Sequence, residues 1–417
     1  MKKLTIILLW IFSLISAQVG PAEELHRNPP RAWALTNATI HASPGKTIVN
    51  GTVVMRNGMI TSVGSDVKIP KQATIRDMEG KHIYAGFIES WLDVNTIKKD
   101  TSLQAHWNSN MRAYLKAADL FHPKDKELRD LRALGFTTAH ITPKGGIFQG
   151  QSALVQLGKT PKVLSENIAQ VIEFASSGWG SREYPTSLLG VIAFIRQGFY
   201  DATWYEKTGN ILAKYPDGNE PIQKDRSLEA LSSGKGKKQP FVFRTNNELY
   251  IDRSENIADE FDLNFWIRGN GYEYRRIDQM PASFMIVPLN FPGKPDVADP
   301  YQALQYTTEQ LKHWDMAPDN LAKLVAAGFQ VALTGSDLKN KKDFQKNLSR
   351  SINRGLNESD ALAALTTNPA QEFGQSKRLG KVAPGYIANL VITDDNYFSG
   401  ESTVNAVWID GNEYEIE

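Results

Sequence analysis

Leu321-Ala-Lys-Leu-Val-Ala-Ala-Gly328-Phe-Gln-Val-Ala-Leu-Thr334-Gly-Ser-Asp337 reads as a helix, a stop and a strand. Leu321, Leu324 and Val325 share one helical face, Gly328 suits the left-handed cap that ends a helix, and Phe329 to Thr334 is an apolar run of strand length. The same design occurs upstream, where Leu128, Leu131 and Leu134 precede Gly135 and the run Phe136 to Ile141. Further strand-like runs lie at Ile83 to Ile88, Ser152 to Leu157, Phe241 to Arg244, Phe265 to Gly269 and Phe284 to Leu289. Between them, Pro185 to Lys207 places Leu188, Ile192, Ile195 and Phe199 on one helical face after a Pro-Thr-Ser start that supplies capping hydroxyls. This alternation predicts an α/β fold of parallel βα units, a (β/α)8 barrel of the TIM type.

The two ends read differently. From Arg31 to Lys81 short β-forming runs, Trp33 to Ile40, Gly51 to Arg56 and Met59 to Val63, surround the turn dipeptide Asn57-Gly58. Ile387 to Thr393, Ala406 to Asp410 and the Gly411-Asn412 turn repeat that pattern at the other end and can complete the same sheet. The expected organisation is therefore a small β-sandwich built from 31–81 and 376–417 around a barrel spanning 82–375. The polar stretch Tyr215 to Gln239 is expected to be a mobile loop. Its Gly234 and Gly236 beside lysines lack the residue order of a phosphate-binding loop.

Lys and Arg number 47 against 46 Asp and Glu in 417 residues, with no long run of one sign, so nothing marks a nucleic-acid or anionic-membrane surface. Met1-Lys2-Lys3, the apolar stretch Leu4 to Ile15 and Ser16-Ala17 have the order of a secretory signal at 1–17, too short to span a bilayer. A periplasmic or secreted location follows as an expectation, with no membrane span after cleavage. There is no cysteine, which removes disulfides, thiol nucleophiles and thiolate ligands together.

The run Gly51-Thr-Val-Val-Met-Arg-Asn-Gly-Met-Ile-Thr-Ser-Val-Gly64, then Ile69-Pro70, Gly80-Lys81 and Tyr84-Ala-Gly-Phe-Ile-Glu-Ser90, resembles the opening of the amidohydrolase superfamily, especially its imidazolonepropionase-like members. Ala361-Leu-Ala-Ala-Leu-Thr-Thr-Asn-Pro-Ala370, Arg378-Leu-Gly380 and Pro384-Gly-Tyr-Ile-Ala-Asn-Leu-Val-Ile392 resemble its closing helix and returning strands. The resemblance implies a barrel whose site lies at the C-terminal ends of its strands. In active members the first strand ends in His-x-His, the fifth and sixth strands each give a histidine, the eighth gives an aspartate, and these hold divalent metal that activates water.

Aligned on Gly86-Phe87-Ile88-Glu89-Ser90, the first pair falls on Trp91 and Asp93. The fifth-strand position offers Arg244 and Thr245, and the sixth Arg268 and Asn270. Thr334-Gly-Ser-Asp337 retains the eighth-strand aspartate, so Asp337 is the first catalytic candidate, as base. His140, near the C-terminal end of the second strand, is the other. Asp93 and Asp337 are the weak candidates for a metal, as oxygen donors to a hard cation. None of the seven histidines, at 26, 41, 82, 106, 122, 140 and 313, has the i,i+2 or i,i+4 spacing of a shared zinc. The glycines of Gly145-Gly-Ile-Phe-Gln-Gly-Gln-Ser152, which also resembles a family segment, are read as tight turns.

The sequence therefore points to a family protein with a degenerate metal site, a catalytically impaired barrel used for binding or assembly. It is similar to the ligand-poor N-terminal half of two-barrel bacterial amidohydrolases. No cofactor is expected on that reading; the partner is a small-molecule ligand, a companion amidohydrolase barrel or a second copy in a homo-oligomer. The alternative is an active hydrolase of non-peptide or cyclic C–N bonds using Asp337 and an atypical divalent metal such as zinc.

Overall fold

The computed structural model describes residues 32–95, 106–176, 183–217, 220–280 and 283–416. The proposed signal at 1–17 and His26 lie outside the described residues. In chain order, β1 (Ala32–Ser43), β2 (Lys46–Arg56) and β3 (Met59–Gly64) form an antiparallel meander. Its second turn is Asn57-Gly58, with φ of 52° and 77°. Two consecutive left-handed residues are what a tight two-residue hairpin demands. β4 (Ala73–Asp77) and β5 (His82–Ala85) both run parallel to β1.

The run Ile83 to Ile88, read from sequence as one strand, is two. β5 ends at Ala85 and β6 (Phe87–Val94) begins after Gly86, where any side chain would run into Thr137. β7 (Phe136–Pro143) lies parallel to β6. β8 (Phe148–Gln151), β9 (Ala153–Gln156) and β10 (Lys162–Ser165) follow, so the segment expected to be only turns contains a strand. Then β11 (Gln170–Glu173), β12 (Phe241–Arg244), β13 (Phe265–Arg268), β14 (Phe284–Pro288) and β15 (Val331–Thr334) form consecutive parallel pairs. β16 (Leu390–Thr393), β17 (Val404–Ile409) and β18 (Asn412–Glu415) complete the set.

Among the described residues three sheets result: an eight-stranded one in the order β18-β17-β16-β5-β1-β2-β3 with β4 on β1, a four-stranded β10-β9-β7-β6, and a six-stranded β15-β14-β13-β12-β11-β8. The first joins strands from both ends of the sequence. The fold is thus mixed α/β, and among the described residues no sheet closes on itself. The six- and four-stranded sheets meet at one edge, where Thr334 Oγ1 donates to the Trp91 carbonyl at 3.0 Å.

The stretch expected to be a mobile loop, Tyr215 to Gln239, contains a helix at Arg226–Gly236. Asp225 caps it by accepting from the Ser227 and Leu228 amides, and Leu228 and Leu231 bury its inner face. A longer helix, Leu188–Lys214, buries Val191, Phe194, Ile195, Phe199 and Ala202 on one face.

Ile88, Val171, Val242, Trp266, Ile286 and Ala332, from β6, β11, β12, β13, β14 and β15, form one buried apolar cluster with Trp91 and Phe373. Alternation along a strand then dictates what lies at its edge. Arg244 is two residues beyond Val242, Arg268 two beyond Trp266 and Thr334 two beyond Ala332, so each shares the cluster's face one step nearer the strand's C-terminal end.

Candidate functional site

Trp91 is the hub of this edge. It is fully buried on β6, and the guanidiniums of Arg244 and Arg268 stand 5.9 and 5.8 Å from its ring centroid. A cation over an indole face is attracted by the ring quadrupole, and more so when water is excluded. The indole Nε1 donates to Asp93 Oδ1 at 2.8 Å.

The two arginines hold the two nominated carboxylates. Arg244 Nη1 lies 3.2 Å from both Asp93 oxygens, and Lys144 Nζ is 3.2 Å from Oδ2. Arg268 Nη2 donates to Asp337 Oδ2 at 2.5 Å and to Ser336 Oγ at 3.1 Å, while its Nη1 donates to the Gly269 carbonyl. Arg268 is almost entirely buried, whereas the Asp337 side chain is 34% exposed, so the pair points from the interior towards solvent. On the far side of Arg244, Glu173 Oε1 is 3.9 Å from its Nε and accepts from Gln149 Nε2 at 2.6 Å through Oε2.

Burial pushes the Asp93 carboxyl up, but Arg244, Lys144 and the indole N–H outweigh it and hold the group below its ordinary value of 3.8. The stabilisation is therefore complete above pH 3.8 and is lost as pH falls through the lower folded-state value. Asp93→Asn is expected to lower the unfolding free energy by about 1–3 kcal/mol at pH 7, the usual worth of charge-assisted hydrogen bonds. In urea titrations the gap from wild type should narrow progressively as pH falls below 3.8; a gap that does not narrow there would refute the ion-pair account.

Glu89, to which the sequence reading gave no role, ties β6 to β15. Its Oε1 accepts from the Trp91 amide at 3.1 Å and its Oε2 from the Gly335 amide at 3.0 Å. Burial raises its pKa, against the pull of Thr334, the two amides and the Lys341 charge. The signal in the sequence was an acid inside the apolar run Phe87-Ile-Glu-Ser-Trp91.

His140 lies in the interior. Its Nδ1 is 2.9 Å from the Ser90 carbonyl, its ring stacks on Phe373 at 4.3 Å, and Trp91 and Trp266 meet it edge-on. Burial pushes its pKa down to about 4, although the Ser90 bond opposes that shift. The three nominated residues are thus held by different partners: Asp93 by Arg244 and Lys144, Asp337 by Arg268, and His140 by Ser90.

Beside Asp93 a cleft of about 410 Å³ is lined by Leu120, Phe121, His122, Leu131 and Lys341 among others. It combines an apolar wall with charges of both signs.

A divalent metal at the strand ends does not suit this donor set. Tryptophan carries no lone pair for a metal, each carboxylate already faces a guanidinium, and a second cation beside Arg244 and Arg268 would be repelled. Among the described residues, no three His, Cys, Asp or Glu side chains form a group that could hold an ion.

Comparison with known proteins shows what the chain is similar to. Residues 319–414 match the family model described as the amidohydrolase family. The curated amidohydrolase tasK of Hapsidospora irregularis is 22% identical over 402 residues, which cover 87% of this chain and 39% of that protein. The chain therefore spans about two fifths of the length of the curated relative it matches. Among solved structures, an amidohydrolase from Thermotoga maritima superposes with a TM-score of 0.74 at 23% identity, covering 92% of this chain and all of that one. A prolidase complexed with N-methylphosphonate-L-proline gives 0.55 at 15% identity, over 93% of this chain and 100% of its own. These structural likenesses speak for the fold.

Proposed function

We propose that the chain is an exported, barrel-type member of the amidohydrolase superfamily that does not carry out metal-dependent hydrolysis and works by binding. One observation carries the reading: Trp91 braced between Arg244 and Arg268, with Asp93 and Asp337 each neutralised by one of those arginines. Without metal, water at neutral pH is a poor nucleophile, and a lone carboxylate base contributes only about 10²- to 10⁴-fold.

The parallel run β11 to β15 and the Thr334 bond to β6 support a (β/α)8 arrangement with this edge as its mouth. The charged, apolar and small-residue order of 1–17 supports export. The cleft beside Asp93 supports a small-molecule ligand, and a companion amidohydrolase barrel is the macromolecular partner the same reading allows. Since one structural neighbour holds a proline phosphonate, amides and dipeptides of proline are the first ligands to try.

The test is turnover. Full-length protein, supplied with Zn²⁺, Mn²⁺ or Co²⁺, is assayed on Xaa-Pro dipeptides, N-acyl amino acids and cyclic amides beside Asp337→Asn. No hydrolysis that depends on Asp337 is expected. Hydrolysis by wild type that Asp337→Asn abolishes would overturn the proposal in favour of an active hydrolase of C–N bonds.

A further inference from the structure

We infer that a cavity at the far end of β12 from Arg244 binds a small molecule carrying a chain of phosphate groups. The cavity, about 600 Å³, lies where Gln239 and Pro240 lead into β12 and where Asn167 and Ile168 lead into β11. Gln151, paired with Gln170 at the same end of the sheet, also lines it.

Charge decides what fits there. Five cationic side chains, Lys116, Lys224, Arg226, Lys237 and Lys238, line the cavity against one acid, Glu229. The whole chain has a formal net charge of only +1, so the excess is local. Glu166, 3.8 Å from Lys116, offsets one cation from the side. Among the described residues no ion pair engages Lys224, Lys237 or Lys238. Cations gathered in a concave site raise the local concentration of anions. Lysines near a helix C-terminus commonly answer the helix dipole, which accounts for Lys235 and Lys237 but not for Lys116 and Lys224, brought in by other segments.

The walls are fixed. The Arg226–Gly236 helix ends in three bonds, from the Lys237, Lys238 and Gln239 amides to the Ser233, Lys235 and Gly234 carbonyls at 3.1, 3.0 and 2.9 Å. This cap needs a left-handed residue, and Lys238 supplies it with φ of 53°. Glycine is the ordinary choice at that point, because a side chain strains the backbone there. A lysine held against that preference keeps a charge beside the cavity. Gln239 Nε2 donates to the Asn167 carbonyl at 2.6 Å, which ties the cap to the loop before β11. The Arg226 guanidinium rests on the Tyr114 ring, 4.2 Å from its centroid.

Phosphate matches the surplus better than carboxylate. A phosphate ester carries nearly two charges at neutral pH and three acceptor oxygens, whereas a carboxylate carries one charge. Two or three linked phosphates therefore neutralise the surplus within one compact ligand, and lysine ammoniums meet them as point charges. Ser232-Ser-Gly-Lys-Gly-Lys-Lys238 thus holds phosphate through lysine side chains, without the backbone cradle of a phosphate-binding loop.

The probes are inorganic tripolyphosphate and a nucleoside triphosphate, titrated by calorimetry into full-length protein at low salt. One molecule per chain is expected, with affinity falling as salt rises. Lys237→Gln/Lys238→Gln should weaken binding at least about 10-fold, as the loss of two charge-assisted contacts implies. Lys294→Gln/Lys312→Gln, which removes the same charge from exposed positions elsewhere, should bind as wild type. Lys238→Gly separates binding from folding: it should melt no lower than wild type, since glycine suits the cap, yet bind more weakly. Tighter binding of the nucleotide points to an organic ligand, and tighter binding of tripolyphosphate to an inorganic one. Absence of saturable binding, an equal loss in the control pair, or citrate bound as tightly as tripolyphosphate overturns the proposal.

Discussion

Trp91→Ala should lower the unfolding free energy by about 3–5 kcal/mol, the range for removing a large aromatic side chain from a packed interior. The residue is fully buried and lies in the cluster with Ile88, Val242, Trp266 and Phe373, so its loss opens a void there. It also takes away the face on which both guanidiniums rest and the N–H that Asp93 accepts. Trp91→Phe separates these effects. The smaller ring keeps part of the packing and the aromatic face but loses the Asp93 bond, which is worth about 1–2 kcal/mol by itself. Equilibrium urea unfolding of the three proteins at pH 7 checks the ranking. An alanine variant within 1 kcal/mol of wild type would show that Trp91 does not brace the site.

The second large effect concerns acid. His140 titrates near 6.5 in an unfolded chain and near 4 in its folded setting, because burial disfavours the imidazolium. A histidine with a depressed folded value resists protonation only while folded. The folded state is therefore penalised progressively as pH falls below about 6.5, and the penalty levels off below about 4. At 1.36 kcal/mol per unit it amounts to about 3 kcal/mol. His140→Leu keeps a similar volume and abolishes the titration. At pH 8 the variant should be less stable than wild type, since the Ser90 carbonyl loses its donor. Between pH 6.5 and 4 the difference should move in the variant's favour by about 3 kcal/mol. Parallel slopes for both proteins across that window would sink this account.

Much of the fold was legible from residues. Leucines at helical spacing followed by Gly135 or Gly328 marked helix-to-strand junctions, and Asn57-Gly58 marked a hairpin. Gly86 was passed over because Ile83 to Ile88 is apolar on both sides of it, and only the approach of Thr137, far along the chain, breaks the run. The helix Arg226–Gly236 was hidden by Ser, Gly and Lys, residues that read as loop, although the Asp225 cap and the Leu228–Leu231 spacing were present. β8 and β11 are four-residue strands, too short to show a period.

At the site, the residue substitutions were legible and the pairings were not. Trp91, Asp93, Arg244 and Arg268 could each be put at a strand end by resemblance. That Arg244 takes Asp93 while Arg268 takes Asp337 depends on which strands are neighbours in space. His140 was placed at the correct end of a strand, but which way its ring faces depends on register, so a candidate base lies inside the aromatic core.

The large sheet places an ordering problem on biosynthesis. β5 pairs on one side with β1, which precedes it, and on the other with β16, which the ribosome delivers only after every intervening helix and strand. Throughout that interval the edge of His82–Ala85 has no strand to dock on, a standing invitation to intermolecular pairing. Such distant partners also make for high contact order and slow final assembly. In a nascent chain of this architecture that edge therefore stays without its β16 partner until residue 393 has emerged.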